Sequence, residues 1–477
     1  VLALDLDEPA TIYWGGATLE FEEAEASRST VRQGLVALGK ALFHKLPTEL
    51  RRSLLASRAR ARWLQRFQAT SSDGDEPSVG RLIAVADATA FVADFENRLA
   101  VAKGSLQPIL NEGRGGAPPT AATKLVAFYL PQFHPIPEND AWWGAGFTDW
   151  TNVAKAIPQF VGHHQPRLPG ELGFYDLRTP GILSAQADLA RSYGVNAFCF
   201  HYYWFGGKRL LERPLNSFLA DKSIELDFCI CWANENWTRR WDGREGDVLI
   251  AQSHSLGDHA RVFDNMASYL EDERYLRIDG KPLVLVYRPE LIADVVAMGE
   301  IWRERALRRD WPGLFLAGTS AFRFEDPAAI GFDALVEFPP HGLVTKRIDA
   351  GLAWLNTNHA GAVYDYEGLV NEELRRAMAA KTNEFLTFPG VMPGWDNEPR
   401  RPGRGVVFHR AEPKAYGRWL SASIKRAERM LPAGARFVFI NAWNEWAEGA
   451  CLEPDRAFGR GYLEETARVV AESGREF

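Results

Sequence analysis

The 477 residues combine a hydrophobic fraction of 46% with 25% charged side chains and a formal net charge of -7. That is the profile of a globular chain, and the negative balance excludes a general nucleic-acid binder, whose surface would be basic. No apolar run reaches membrane-spanning length, and the first residues lack the basic-then-apolar order of a signal peptide. A cytoplasmic protein is therefore expected, although the chain begins at Val1 rather than Met, as a piece of a longer protein with further domains would.

Residues 1 to about 31 alternate in places, at Thr11-Ile12-Tyr13-Trp14 and again at Leu19-Glu20-Phe21, as the last strands of a truncated domain would. From Val31 the period turns helical. Leu50, Leu54, Leu55, Trp63, Leu64 and Phe67 form a stripe, with Arg51, Arg52, Arg58, Arg60, Arg62 and Arg66 between them. Such a helix packs its stripe on a neighbour and leaves its charges in water, or lies on an acidic membrane surface. A polar break at Ser71–Pro77 precedes a second helix with Phe91, Phe95 and Leu99 as its stripe, and Gly113–Thr123 reads as a linker. The boundary is expected near residue 115, with an N-terminal region over 1–115 and a second domain over 116–477.

After the linker, strands and helices alternate. The strand candidates are Leu125–Leu130, Val195–Phe200, Phe228–Cys231, Leu283–Tyr287, Leu314–Gly318 and Ala334–Phe338. A weaker one lies near Phe385–Val391, and Phe437–Ile440 is the last. Helical stretches separate most of them, marked by Ile182, Ala185 and Leu189, by Leu291–Arg308 and by Tyr416–Met430. Near-continuous apolar strands alternating with helices imply a parallel sheet covered on both faces. Eight of them predict an α/β fold of the (β/α)8 TIM-barrel type with long loops. An open doubly wound sheet is the alternative, but no glycine-rich phosphate loop follows the first strand.

Four cysteines are present. Cys199, Cys229 and Cys231 fall in strands, and Cys451 lies just past the last one. Cys229 and Cys231 share a strand face, which suits small buried side chains better than a disulfide. No His, Cys or acidic residues stand at metal-ligand spacing, so neither a metal nor a cofactor is expected, and His163 and His164 read as loop residues.

In a (β/α)8 barrel the C-terminal ends of all strands open on one face, where the active site lies. Here those ends read Pro131-Gln132-Phe133-His134, His201-Tyr202-Tyr203-Trp204, Trp232-Ala233-Asn234-Glu235-Asn236-Trp237, Tyr287-Arg288-Pro289, Glu337-Phe338-Pro339-Pro340 and Pro393-Gly394-Trp395-Asp396-Asn397. Ten of the 16 tryptophans fall there or in the adjoining loops (Trp142, Trp143, Trp150, Trp204, Trp232, Trp237, Trp241, Trp395, Trp443 and Trp446). Concentrated beside Asn, Asp, Glu and His, they predict a carbohydrate cleft rather than core.

The last strand ends in Asn441-Ala442-Trp443-Asn444-Glu445-Trp446-Ala447-Glu448, which places two carboxylates three residues apart. Cleavage of a glycosidic bond needs one protonated and one ionised carboxyl beside flat faces that hold a sugar ring. The alternative is a helix N-terminus whose acids complement the dipole. Carboxylates three apart need not flank a glycosidic bond, so Glu235 or Glu337 is a possible partner.

Three motifs carry a family resemblance: YLPQFHPIPENDAWWGAGFTDWTNV (Tyr129–Val153), WANENWTRRWDG (Trp232–Gly243) and INAWNEWAEG (Ile440–Gly449). Over Lys124 to Tyr462 the chain resembles the WbsX family, labelled glycosyltransferases of bacterial surface-polysaccharide clusters, whose barrel is similar to glycoside hydrolase family 99, the endo-α-mannosidases. The resemblance implies that Glu448 is the general acid/base. It also implies that Glu445 acts on the sugar's 2-hydroxyl, giving retention through a 1,2-anhydro intermediate. The endo-mannosidases carry a His between the two glutamates after the Trp, where this chain has Ala447, so mannose specificity does not carry over.

Together these readings predict an endo-acting retaining glycoside hydrolase on a bacterial polysaccharide or O-antigen-like glycan, with catalytic Glu445 and Glu448. The expected sugar contacts are Tyr129, His134, Trp150, His201, Tyr202, Trp204, Trp232, Asn234, Glu235, Asn236, Trp237, Arg239, Asp242, Glu337, Trp395, Asp396, Trp443, Asn444 and Trp446. Glu448 is expected protonated at rest, and Glu445 ionised and held by Asn444 or a backbone amide. A glycosyltransferase and a non-catalytic carbohydrate-binding domain are the alternatives. The Asp-x-Asp sequences that a nucleotide-sugar enzyme would use, Asp5-Leu6-Asp7 and Asp73-Gly74-Asp75, lie outside the barrel and read as turn residues.

Overall fold

The structure, a computed structural model, describes the strands Thr11–Trp14 and Ala17–Glu20 and residues 121–475, apart from 240–243, 253, 323, 344 and 382–383. The first two strands pair antiparallel with Trp14 opposite Ala17, where alternation placed strands. The two N-terminal helices and the linker predicted for Gly113–Thr123 fall almost wholly outside the described residues. The chain divides into two compact units. One holds Val1–Gly104 with Ile157–Gln165 and Leu352–Thr357, and the other holds the rest. Within the first unit Val161 donates its N–H to Ala353 O at 2.9 Å, and Phe160 meets Trp354 edge-on.

The second unit is a (β/α)8 barrel. Its strands are β1 Lys124–Tyr129, β2 Ala197–Phe205, β3 Asp227–Trp232, β4 Lys281–Val286, β5 Phe315–Thr319, β6 Ala334–Val336, β7 Leu386–Phe388 continuing as Gly390–Val391, and β8 Phe437–Ile440. Every neighbouring pair is parallel, in the order 1 to 8, and β8 returns to β1 with Ile440 opposite Ala127. All eight predicted strands are present. Their apolar runs are buried on both faces, against the barrel interior and against the surrounding helices, which is why they read as continuous rather than alternating.

The ring closes through β7, the weakest strand in sequence. Leu386–Phe388 bonds β6, whereas Gly390–Val391 bonds β8, and Pro389 between them donates nothing to either ladder. Gly390 lies so close to β6 that a Cβ on it would stand 2.1 Å from the Glu337 carbonyl oxygen. Only glycine fits where the strand passes from one neighbour to the other.

Among the described residues seven helices cover the barrel: α1 Ile182–Ser192, α2 Arg213–Ala220, α3 Leu256–Leu270, α4 Val295–Leu307, α5 Tyr366–Ala379, α6 Pro413–Met430 and α7 Gly461–Ser473. Between β5 and β6 a single 3-10 turn, Ala328–Ile330, replaces a helix. In α6 the buried positions Tyr416, Trp419, Leu420, Ser423, Ile424 and Ala427 recur at helical spacing, and Pro413 opens the first turn where its missing N–H costs nothing. No described helix is long and apolar enough to cross a membrane.

Candidate active site

At the C-terminal ends of the strands a cavity of about 450 Å³ opens, and Glu445 and Glu448 line it. Both stand on a tight hairpin. Asn444–Glu445 pairs antiparallel with Ala450–Cys451 around a 3-10 turn at Trp446–Glu448, closed by Gly449 at φ 61°. Side chains three apart eclipse in 3-10 geometry, so both carboxylates leave the turn on one side. Gly449 must be glycine twice over, because a Cβ there would also stand 2.9 Å from the Asp396 amide nitrogen. Below the turn, buried Glu453 accepts from Trp446 Nε1 at 2.6 Å, Gln186 Nε2 at 2.6 Å and Tyr175 Oη at 2.9 Å. Burial pushes the Glu453 carboxyl up to about 7 against the pull of those donors.

The group that organises the pair is Arg400, which the sequence reading missed. Its Nη2 lies 2.9 Å from Glu445 Oε2 and 2.9 Å from Asp149 Oδ2, and its Nη1 lies 2.7 Å from Glu448 Oε1. One guanidinium fork thus holds the two glutamates on separate nitrogens. Arg400 sits on a loop folded over Glu398, whose carboxylate accepts from the amides of Gly403 and Gly405 and from His359 Nε2. A Cβ at Gly405 would stand 2.4 Å from that carboxylate. Burial opposes the charge on Arg400, but Asp149, Glu445 and Glu448 hold it protonated.

Glu445 is the deeper of the two, its side chain 8% exposed against 23% for Glu448. Burial first, then the charges of Glu448 and Asp149, push its carboxyl up to about 7, opposed by Arg400 and His201. The expectation of an ionised Glu445 held by Asn444 is therefore corrected: desolvation falls on Glu445, and near neutrality it exchanges its proton. Asn444 is occupied elsewhere. Its Oδ1 accepts from Leu130 N at 2.7 Å and its Nδ2 donates to Leu130 O at 3.0 Å, fastening the end of β8 to the end of β1.

Of the predicted sugar contacts, His201, Glu235, Asn236, Trp237 and Trp395 line the cavity with the two glutamates. Glu235 is bound to Arg288 Nη1 at 2.6 Å. Asp396 stands beside the cavity and donates its backbone N–H to the Glu448 carbonyl at 2.6 Å. Asp242 lies outside the described residues, as does the side chain of Arg239.

The others point elsewhere, chiefly because the strands run further than expected and their side chains alternate. β2 extends to Phe205, so His201 and Tyr203 face the cavity while Tyr202 bonds Asn265 and Trp204 bonds Asp258, both on α3. Tyr129 turns outward to Gln186 on α1, and Trp232 packs on Trp302 of α4. Trp150 packs on Phe133 and Trp446, and Trp443 on Phe198, all buried beneath the mouth, so five of the ten clustered tryptophans, with Trp204 and Trp232, are core after all. His134 is buried, and desolvation draws its imidazole down to about 4. Asn234 brackets the backbone of Arg288, donating to its carbonyl at 2.7 Å and accepting from its amide at 2.8 Å. Glu337 lies outside the mouth, paired with Arg426 at 2.8 Å and Arg376 at 3.2 Å.

The cavity also takes in Gln132, Asn139, Trp143, Tyr203, Tyr287 and His341, none of them predicted as contacts. Asp149 and Asn139 stand inside a motif already singled out, but no spacing marks them. All four cysteines are buried and unpaired. Among the described residues no group of three or more His, Cys, Asp or Glu side chains is arranged to hold a metal ion.

The family model described as glycosyltransferase WbsX matches residues 125–466. The chain belongs to the WbsX family. The protein WxcX of Xanthomonas campestris pv. campestris (strain B100), whose name carries the word uncharacterized, is 49% identical over 353 residues, 74% of this chain and 50% of its own length. Its counterpart in a second strain matches at the same identity and coverage. The chain thus spans about half the length of the curated relatives it matches. Among solved structures, the GH99 endo-alpha-mannosidase from Bacteroides thetaiotaomicron is 19% identical with a TM-score of 0.46, covering 73% of this chain and 97% of that one. A glycoside hydrolase-like protein is 14% identical with a TM-score of 0.48, covering 78% and 98%.

Proposed function

We propose that the barrel is a retaining glycoside hydrolase that cleaves within a bacterial polysaccharide or O-antigen-like glycan. The observation that carries this reading is the single guanidinium holding Glu445 and Glu448 at the wall of a cavity edged by Trp143, Trp237 and Trp395. A carboxyl at about 7 is matched to proton transfer at neutral pH. In the first step Glu445 takes the proton of the 2-hydroxyl, O2 attacks C1, and the leaving oxygen departs with a proton from Glu448. In the second, water gives its proton to Glu448 and attacks C1 of the 1,2-anhydro sugar, and O2 recovers its proton from Glu445. Two inversions give net retention. Arg400 stabilises whichever carboxylate is ionised, and the aromatic faces hold the ring.

The family description favours a second reading, a glycosyltransferase. The same two steps perform transfer when a sugar hydroxyl replaces water. Incubation with a panel of bacterial polysaccharides, with and without nucleotide sugars, separates the two. The hydrolase reading expects shorter oligosaccharides without any nucleotide sugar, their new reducing ends first seen by NMR in the anomeric configuration of the bond cleaved. Products that require a nucleotide sugar would overturn it in favour of transfer, and an inverted first product would overturn the anhydro route.

A further inference from the structure

Asn139 is fully buried, it lines the cavity, and among the described residues neither its Oδ1 nor its Nδ2 has a hydrogen-bond partner. A carboxamide left in that state is destabilising, and buried polar groups are otherwise paired almost without exception. The fold has not left it loose by neglect. Asn139 belongs to the short helix Pro137–Trp143, whose neighbouring side chains are both engaged: Glu138 pairs with Lys208, and Asp140 Oδ1 accepts from the amides of Gly146 and Phe147. Those ties fix the helix on either side of Asn139, which lies at the cavity wall. Trp143, one turn further on, lines the same cavity, as residues four apart share a helix face. Among the described residues His201 Nδ1, also buried at the cavity, likewise has no partner, although the His201 side chain does bond the Cys231 thiol.

We propose that Asn139 and Trp143 form a sugar subsite, with Trp143 receiving a pyranose face and the Asn139 amide binding adjacent hydroxyls as donor and acceptor, assisted by His201 Nδ1. Adjacent hydroxyls are the ligand class that satisfies both ends of one amide, since each hydroxyl both gives and accepts a hydrogen bond. The site selects a neutral ring bearing two neighbouring free hydroxyls and rejects one substituted there. This rests on the glycan reading above, and contrasts with Asn234, whose amide is occupied by backbone.

The test joins two measurements on wild type, Asn139→Leu and Asn139→Asp. Thermal unfolding without ligand comes first. An amide unpaired in the free protein predicts that Asn139→Leu, similar in shape and apolar, melts at or above the wild-type temperature. A fall of several degrees, or failure to fold, would show the amide satisfied within the protein and overturn the subsite. Titration calorimetry then uses α- and β-linked gluco-, manno- and galacto-disaccharides and their monodeoxy analogues. Wild type is expected to bind at least one, Asn139→Leu about 10-fold or more weakly, and Asn139→Asp to lose only the contacts in which the amide donates. The deoxy analogue that weakens wild type should not weaken Asn139→Leu further, the non-additivity expected of two groups in contact. Strictly additive losses, or unchanged binding by Asn139→Leu, overturn the subsite and leave the glycan reading standing. A wild type that binds no sugar overturns both.

Discussion

Arg400 meets three carboxylates, so the charge it carries cannot neutralise all of them, and burial with the charges of Glu448 and Asp149 pushes the Glu445 carboxyl up to about 7. Activity should therefore rise with pH along a limb with apparent pKa near 7, as Glu445 becomes a base, and Glu445→Gln should be impaired by two orders of magnitude or more on every substrate. Glu448→Gln should spare a substrate with an activated phenolic leaving group, which needs little protonation. Equal losses on activated and natural substrates for both variants would reverse this division. The fold feels the same proton. A carboxyl at about 7 in the folded state and about 4.3 when unfolded binds its proton more tightly in the native protein. That contribution is complete below the unfolded value and is lost as pH rises through 7. Wild-type stability should fall from about pH 5 to about pH 8 by more than that of Glu445→Gln, measured by urea unfolding at both pH values; part of the fall remains in the variant because Glu453 titrates alike. Arg400→Lys keeps a charge but presents a single point rather than a fork, and is expected to lose activity on the order of 100-fold with little change in KM.

At the scale of elements, the strand ends are fastened by asparagine. Asn234 joins β3 to β4, and Asn444 joins β8 to β1, each through two bonds to one backbone residue. Asn441 adds a bond from β8 to Pro339 past β6. Removing the Asn444 side chain orphans a buried N–H and a carbonyl of Leu130, so Asn444→Ala should destabilise the protein by about 2–3 kcal/mol in urea unfolding. Asn234→Ala should also lower stability while leaving the sugar preference unchanged; a changed preference would return Asn234 to the site. These residues show what sequence could carry. Eight apolar runs announced the strands, because burial on both faces leaves no alternation to misread, and the Glu445/Glu448 pair stood out because polar residues abruptly follow a buried strand. Which asparagine or tryptophan faces the cavity depends on strand length and pleat, and the run of β2 on past Phe200 to Phe205 moved Tyr202 and Trp204 from the mouth to the helices. Arg400 had no local signature at all. It reaches the glutamates by way of a loop whose shape is set by Glu398 and two glycines.

At the scale of the molecule, the barrel is one ring, and the ring is only as closed as β7. Half of β7 bonds β6 and half bonds β8, and β8 is the strand from which the hairpin carrying Glu445 and Glu448 springs. Gly390 is the pivot. A methyl group there would overlap the Glu337 carbonyl, and no flexible side-chain end is available to yield, because the obstacle is the backbone of Glu337, just past β6. Either β6 and β7 part, breaking the seam, or β7 shifts away from β6 and pushes on β8. Both routes disturb the position of Glu445 and Glu448 before they disturb the helices outside. Gly390→Ala should therefore lower the urea midpoint, by the 1–3 kcal/mol typical of overpacking or more, with far-UV helical signal retained. Activity should fall more than 10-fold under conditions where the variant is still folded. Gly390→Val should exaggerate both losses. A Gly390→Ala variant with wild-type midpoint and wild-type activity would mean that the ring closes without needing that close passage, and that the split of β7 has no part in holding the site.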